Sequence, residues 1–284
     1  VLALFLAGLA AEAQIQVSLS IPRRLYVVYE PIIATVSVTN RAGRDLVLRD
    51  GPSAQWFGFQ ISSGEGRLVP PRSPDYKLDP LTIAAGETVK RSVNLTALYP
   101  VTEFGMYRVR ATIFAVEMDR YFTSEPDLVE ISDGKLVWQR VVGVPAGAPG
   151  AGENRTISLL TFRQPKDNML YVRVEDPDSG IVHATYPLAR VLSKAEPEIQ
   201  LDRDNILHVL QLVGPKMFTY SRIGSDGEYL ATKNYTQSRT RPSLRATASG
   251  TVEIVGGQVA ISPEEADKEG RPKLSDRPAG MPDE

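Results

Sequence analysis

The sequence predicts an all-β protein made of two successive β domains and a disordered C-terminal tail. Three observations carry this. Apolar and polar residues alternate with a period of two through most of the chain, without a sustained helical period. Clusters of Gly, Pro, Asn and Asp punctuate the runs, in a chain of 284 residues holding 22 Gly and 21 Pro. From Ser262 onward the composition turns to Pro, Glu, Asp, Lys and Arg with almost no apolar residues. Such a segment cannot bury enough surface to offset its ordering entropy, so residues 263–284 read as disordered.

Residues 1–13 come first. Val1-Leu-Ala-Leu-Phe-Leu-Ala-Gly-Leu followed by Ala11-Glu-Ala13 has the pattern of a secretory signal cut near Gln14, with its start missing. The apolar run is too short for a span of roughly 20 residues, so no transmembrane anchor is expected there. The expected location is periplasmic or extracellular. There is no cysteine, which excludes disulfides and thiolate chemistry, and His183 and His208 are the only histidines. No metal site and no cofactor is expected. The net charge of −2 supplies no field for nucleic acid.

The first domain spans residues 14–132. Ile15-Gln-Val-Ser-Leu-Ser alternates as a half-buried strand does. A strand over 33–39 puts Ala34, Val36 and Val38 on one face. Phe57, Phe59 and Ile61 form an aromatic inner face. Val89, Val93 and Leu95 follow the Ala85-Gly-Glu turn. Over 105–113, Tyr107, Val109, Ala111 and Ile113 face one way and Arg108, Arg110 and Thr112 the other. Strands at this spacing predict a β-sandwich. Tyr29-Glu-Pro-Ile, the Val-Ser-Val-Thr-Asn that ends at Asn40, the Ala-Gly-Glu turn and Gly105-Met-Tyr-Arg-Val resemble bacterial immunoglobulin-like modules. The resemblance implies such a sandwich, with Tyr107 as a corner tyrosine bonded to the preceding loop. It implies a module that binds, spaces or braces.

The join reads as a hairpin, with residues 125–131 and 136–142 flanking Asp133-Gly134. The Gly- and Pro-rich stretch 143–154 offers a flexible linker as another boundary.

The second domain spans residues 133–262. Strand candidates follow at 157–163, 169–175, 180–186, 198–201, 206–212, 217–223, 229–234, 243–246 and 251–255. A turn–strand phrase recurs: Asp167-Asn-Met-Leu-Tyr-Val, Asp204-Asn-Ile-Leu-His-Val and Ser249-Gly-Thr-Val-Glu-Ile. Its spacing of roughly 40 residues is similar to that of β-propeller blades, so about three blade-like units are expected. Three units are too few to close a propeller. An open array, an ordinary sandwich and a ring closed by several chains all remain open, and unpaired sheet edges could support self-association.

Candidate chemistry is sparse. His208 and His183 read as satisfied core or interface histidines. Asp176, Asp178 and Gly180 resemble a calcium loop without its later Glu and read as a hairpin turn, as do Asp202/Asp204 and Asp226/Glu228. Asn94, Asn154 and Asn234 open glycosylation sequons. Nucleophile-elbow, Walker and zincin motifs are absent, so no catalytic residue is assigned and no enzyme is expected. Lys233, Tyr235, Arg239, Arg241 and Arg245 form the one basic patch, a candidate ligand surface for an anionic glycan or head group. Tyr171, Tyr186, Phe218, Tyr220 and Tyr229 read as cross-strand aromatic partners. The expectation is a non-enzymatic binding protein for an unknown protein or a surface polysaccharide. A structural component of the cell envelope and a carbohydrate-active hydrolase are the alternatives.

Overall fold

The computed structural model describes residues 14–73, 78–192 and 195–260. The export-signal reading of 1–13 and the disordered reading of 263–284 lie outside them. The chain divides after Asp133 into two compact units.

The first unit contains β1 (Ile15–Ser20), β2 (Leu25–Val27), β3 (Ile33–Asn40), β4 (Leu46–Leu48), β5 (Phe57–Ser63), β6 (Leu81–Ile83) and β7 (Thr88–Asn94). A one-turn helix, α1 (Leu95–Leu98), precedes β8 (Gly105–Ala115), β9 (Arg120–Thr123) and β10 (Asp127–Ser132). One sheet runs β1-β3-β7, and the other β2-β10-β8-β5 with β9 also on β8. Strands β4 and β6 form a separate ribbon. The predicted alternation sets the core. Ala34, Val36 and Val38 of β3 and Tyr107, Val109, Ala111 and Ile113 of β8 are buried, and they join Trp56, Phe57, Phe59 and Ile61 in one cluster. This is a β-sandwich, and each buried Val, Ile or Phe among these contributes roughly 1.5–3 kcal/mol by leaving water.

Three details differ from the sequence reading. Leu95 opens a helical turn instead of extending a strand, because the Asn94 side chain accepts the Thr96 N–H at 3.2 Å and caps it. Strand β8 runs to Ala115, since Phe114 and Ala115 are buried as well. No hairpin forms across Asp133-Gly134. Both edges of β10 are taken by β2 and β8, while the next strand pairs within the second unit. The Tyr107 hydroxyl, in turn, donates to the Glu103 carbonyl at 2.9 Å, the corner bond that the resemblance implied.

The second unit contains β11 (Lys135–Gly143), β12 (Asn154–Arg163), β13 (Asn168–Glu175), β14 (Val182–Arg190), β15 (Glu198–Leu201), β16 (Leu207–Gly214) and β17 (Met217–Ile223). It continues with β18 (Tyr229–Thr236), β19 (Ser243–Ala246), β20 (Val252–Val255) and β21 (Gln258–Val259). Strands β11-β12-β13-β14 form an antiparallel meander, β15-β16-β17-β18-β21 a second sheet, and β19-β20 a hairpin. Ile157, Leu159, Leu170, Val172 and Val174 of the first sheet share a core with Leu207, Val209 and Ile223 of the second. The stretch 143–154 is the β11–β12 connection and no interdomain linker, closed by the Val144 N–H on the Glu153 carbonyl at 2.8 Å.

The unit therefore has three successive antiparallel parts, and its two larger sheets share a core. The described residues form no closed ring. The recurring phrase opens β13, the third strand of its sheet, then β16, a second strand, then β20 of the hairpin. Its spacing records hairpin turns, two of them built on left-handed residues, Asn205 at φ 58° and Gly250 at φ 80°.

Candidate functional site

The outward face of the β15–β18 sheet is read from its register. Glu198 and Gln200 of β15 stand opposite Leu210 and His208 of β16. Leu212, Leu210 and His208 stand opposite Phe218, Tyr220 and Arg222 of β17. Phe218 and Tyr220 stand opposite Tyr235 and Lys233 of β18. The period of two places all of these on one face, away from the core shared with the first sheet. Leu244, Val252 and Ile254 of the β19–β20 hairpin pack onto Leu210, Phe218 and Tyr220 there.

Two of the five patch residues meet this aromatic floor from β18. Tyr235 is half-buried and sets its ring edge-on to Tyr220, with centroids 6.4 Å apart. Burial raises its hydroxyl above the usual tyrosine range. Lys233, opposite Tyr220, is exposed. A third, Arg241, arrives from the loop after β18. Its guanidinium lies 5.2 Å from the Phe218 ring centroid and pairs with Glu198 at 3.3 Å. Glu198 also accepts the Leu244 N–H at 2.8 Å, which seats the hairpin.

The other two residues separate from them. Arg245 shares β19 with the inward Leu244 and therefore points the opposite way, across from Glu253. Arg239 is exposed in the β18–β19 loop. The sequence run of five thus resolves into a cluster of Lys233, Tyr235 and Arg241 around Phe218 and Tyr220.

Beneath the cluster lies a bonded chain that the sequence reading did not assemble. His208 Nδ1 lies 2.6 Å from the Tyr220 hydroxyl, and Nε2 lies 3.1 Å from Asp202 Oδ2. Asp202 also accepts the N–H groups of Asp204 and Ile206, each at 2.9 Å, and so fixes the β15–β16 turn. Burial lowers the His208 pKa from 6.5, opposed by Asp202 and helped by the Arg222 charge. Burial also raises the Tyr220 hydroxyl. His208 is a satisfied core histidine, as read. Its carboxylate partner went unseen because it lies diagonally across the turn rather than on the same strand; diagonal pairs in a sheet fall within reach of long side chains. His183, read alongside it, is instead exposed, on the outward phase of β14.

The aspartate turns are built as hairpin turns. Asp176 Oδ1 accepts the N–H groups of Asp178 and Ser179, at 2.8 and 2.9 Å, which lowers its pKa. Asp226 Oδ1 accepts the Glu228 N–H at 3.0 Å. Among the described residues no three His, Asp or Glu side chains gather as metal ligands. Of the aromatic candidates, Tyr171 pairs across strands with Phe162 and Tyr220 with Tyr235, whereas Tyr186 and Tyr229 meet between the two larger sheets instead of across neighbouring strands. No helix among the described residues is long and apolar enough to cross a membrane.

No protein-family model matches the chain, and no curated protein matches it. Among solved structures, the crystal structure of the periplasmic chaperone SfaE is similar over 76% of this chain and 97% of its own, at 13% identity and a TM-score of 0.24.

Proposed function

We propose that this chain is an exported, non-enzymatic binding protein whose second unit holds an acidic surface polysaccharide. The observation that carries this is the gathering of Lys233, Tyr235 and Arg241 around the Phe218 and Tyr220 rings. Phe218 and Tyr220 lie buried beneath the β19–β20 hairpin and seat the cluster, so Tyr235, its half-buried ring, is the one that offers apolar surface to a sugar ring, and the flanking cations attract the sugar's carboxylates. The first unit, read as an immunoglobulin-like module, adds no chemistry of its own to this reading. The export reading rests on the pattern of residues 1–13.

Affinity electrophoresis of the full chain tests the proposal. Gels containing polygalacturonate retard the wild-type protein, gels containing neutral dextran do not, and Lys233→Ala loses most of the retardation. Equal mobility in both gels removes the reading.

A structural role in the envelope is favoured by a different observation. Strand β11 spans nine residues at the end of its sheet, and Leu136, Val137 and Val141 on it are 51, 46 and 56% exposed. Long, exposed apolar edges pair with other strands. Sedimentation distinguishes the readings, since a strict monomer at all concentrations excludes assembly through this edge.

A further inference from the structure

We infer a second ligand site, in the first unit, that takes an amphipathic carboxylate: an acid group held by Arg108 with its apolar tail lying over Leu128 and Met106. The argument starts from the alternation of β8. Tyr107 and Val109 point into the core, so Arg108 and Arg110 stand side by side on the outer face of the sheet. The register across that face places Ser62 of β5 opposite Arg108, Leu128 of β10 on its other side, and Leu68 bridged to Ser62. One row therefore reads Leu68, Ser62, Arg108, Leu128. An arginine and a hydroxyl are flanked by two apolar side chains that are 66 and 37% exposed.

A cleft of 310 Å³ opens at this row, lined by Ser62, Ser63, Gly64, Met106, Arg108 and Leu128 among others. That volume is at the small end of ligand pockets, which run from about 300 Å³. The nearby carboxylates are already engaged, since Glu65 and Glu103 both pair with Arg67 at 3.2 Å. Among the described residues, the acid that the register sets beside the row is Glu130, opposite Met106, against Arg108, Arg110 and Arg24. Among the described residues none of those three arginines makes an ion pair within 4.0 Å, and Arg110 Nε is inaccessible without a hydrogen-bond partner.

A planar guanidinium matches a carboxylate with two parallel N–H donors. Ser62 supplies a further donor. The thioether of Met106, held at 3.5 Å from Arg24, and the Leu128 side chain give the tail an apolar bed that adapts to its shape. A bare inorganic anion would leave that bed in water, and a neutral alcohol would leave Arg108 unpaired. Both halves of the ligand are therefore required.

Isothermal titration of the full chain with octanoate, n-octanol and inorganic phosphate tests this. Octanoate binds saturably, and Arg108→Gln, an exposed substitution that leaves the core untouched, weakens it by about tenfold or more. Leu128→Ser weakens octanoate, and neither octanol nor phosphate saturates over the same range. The inference is overturned if octanoate does not saturate the wild-type protein, if Arg108→Gln binds it as tightly, or if phosphate binds as well as octanoate. The site lies wholly in the first unit, so its failure leaves the polysaccharide reading untouched.

Discussion

Burial holds His208 neutral, and that sets a pH dependence. Its folded pKa is lowered below 6.5, so the stability it contributes is fully present above pH 6.5 and is lost as pH falls through the folded value. Denaturant unfolding across this range should show stability falling on the acid side. His208→Gln should flatten that fall while lowering stability near neutrality by about 1–3 kcal/mol, because Tyr220 and Asp202 lose their shared partner. The Tyr107 corner makes a simpler case. Tyr107→Phe removes one bond to the Glu103 carbonyl and should cost about 0.5–1.5 kcal/mol in the same assay. The corner was legible in the sequence because Gly-Met-Tyr-Arg-Val carries a local signature. The Asp202–His208–Tyr220 chain was not, since it joins a turn to two strands through a diagonal contact that strand periodicity alone does not reveal.

At the level of elements, alternation of period two foretold most strands and their inner faces. In β8 it foretold even the outward Arg108 and Arg110. It failed where partners decide. The short strands β2, β6 and β21 exist only because β10, β4 and β18 offer edges to pair with. The hairpin expected at Asp133-Gly134 is absent for the converse reason, since β10 already has two neighbours. The β17–β18 turn shows the same dependence on partners. Gly227 has φ 87°, and a Cβ built on it would lie 2.5 Å from the Ala184 Cβ, while its carbonyl accepts the Tyr186 hydroxyl at 2.9 Å. Gly227→Ala should therefore destabilise the second unit by about 1–3 kcal/mol, through both strain and overpacking. Thermal unfolding of the variant measures it. An unchanged transition would mean that this turn is freer than its packing.

For the whole molecule, each unit has its own apolar cluster, one centred on β3, β5 and β8 and the other on β12, β13 and β16. A fragment of residues 14–133 should fold alone, with Trp56 buried and a single cooperative transition in its fluorescence. The chain's class and its sheet-rich character were legible from composition and periodicity. The candidate site was legible only in part. A basic run in sequence marked the region, but the sheet register selected Lys233 and Tyr235 from it and turned Arg245 away, and contacts with Phe218 and Glu198 brought in Arg241. Charge reversal separates the two sides of the β18–β19 region. Titration of an oligogalacturonide into the wild-type protein, Lys233→Glu and Arg245→Glu should show affinity lowered by about tenfold or more in the first variant and nearly unchanged in the second. Equal losses in both variants, or a loss only in Arg245→Glu, would rule out this cluster as the binding surface.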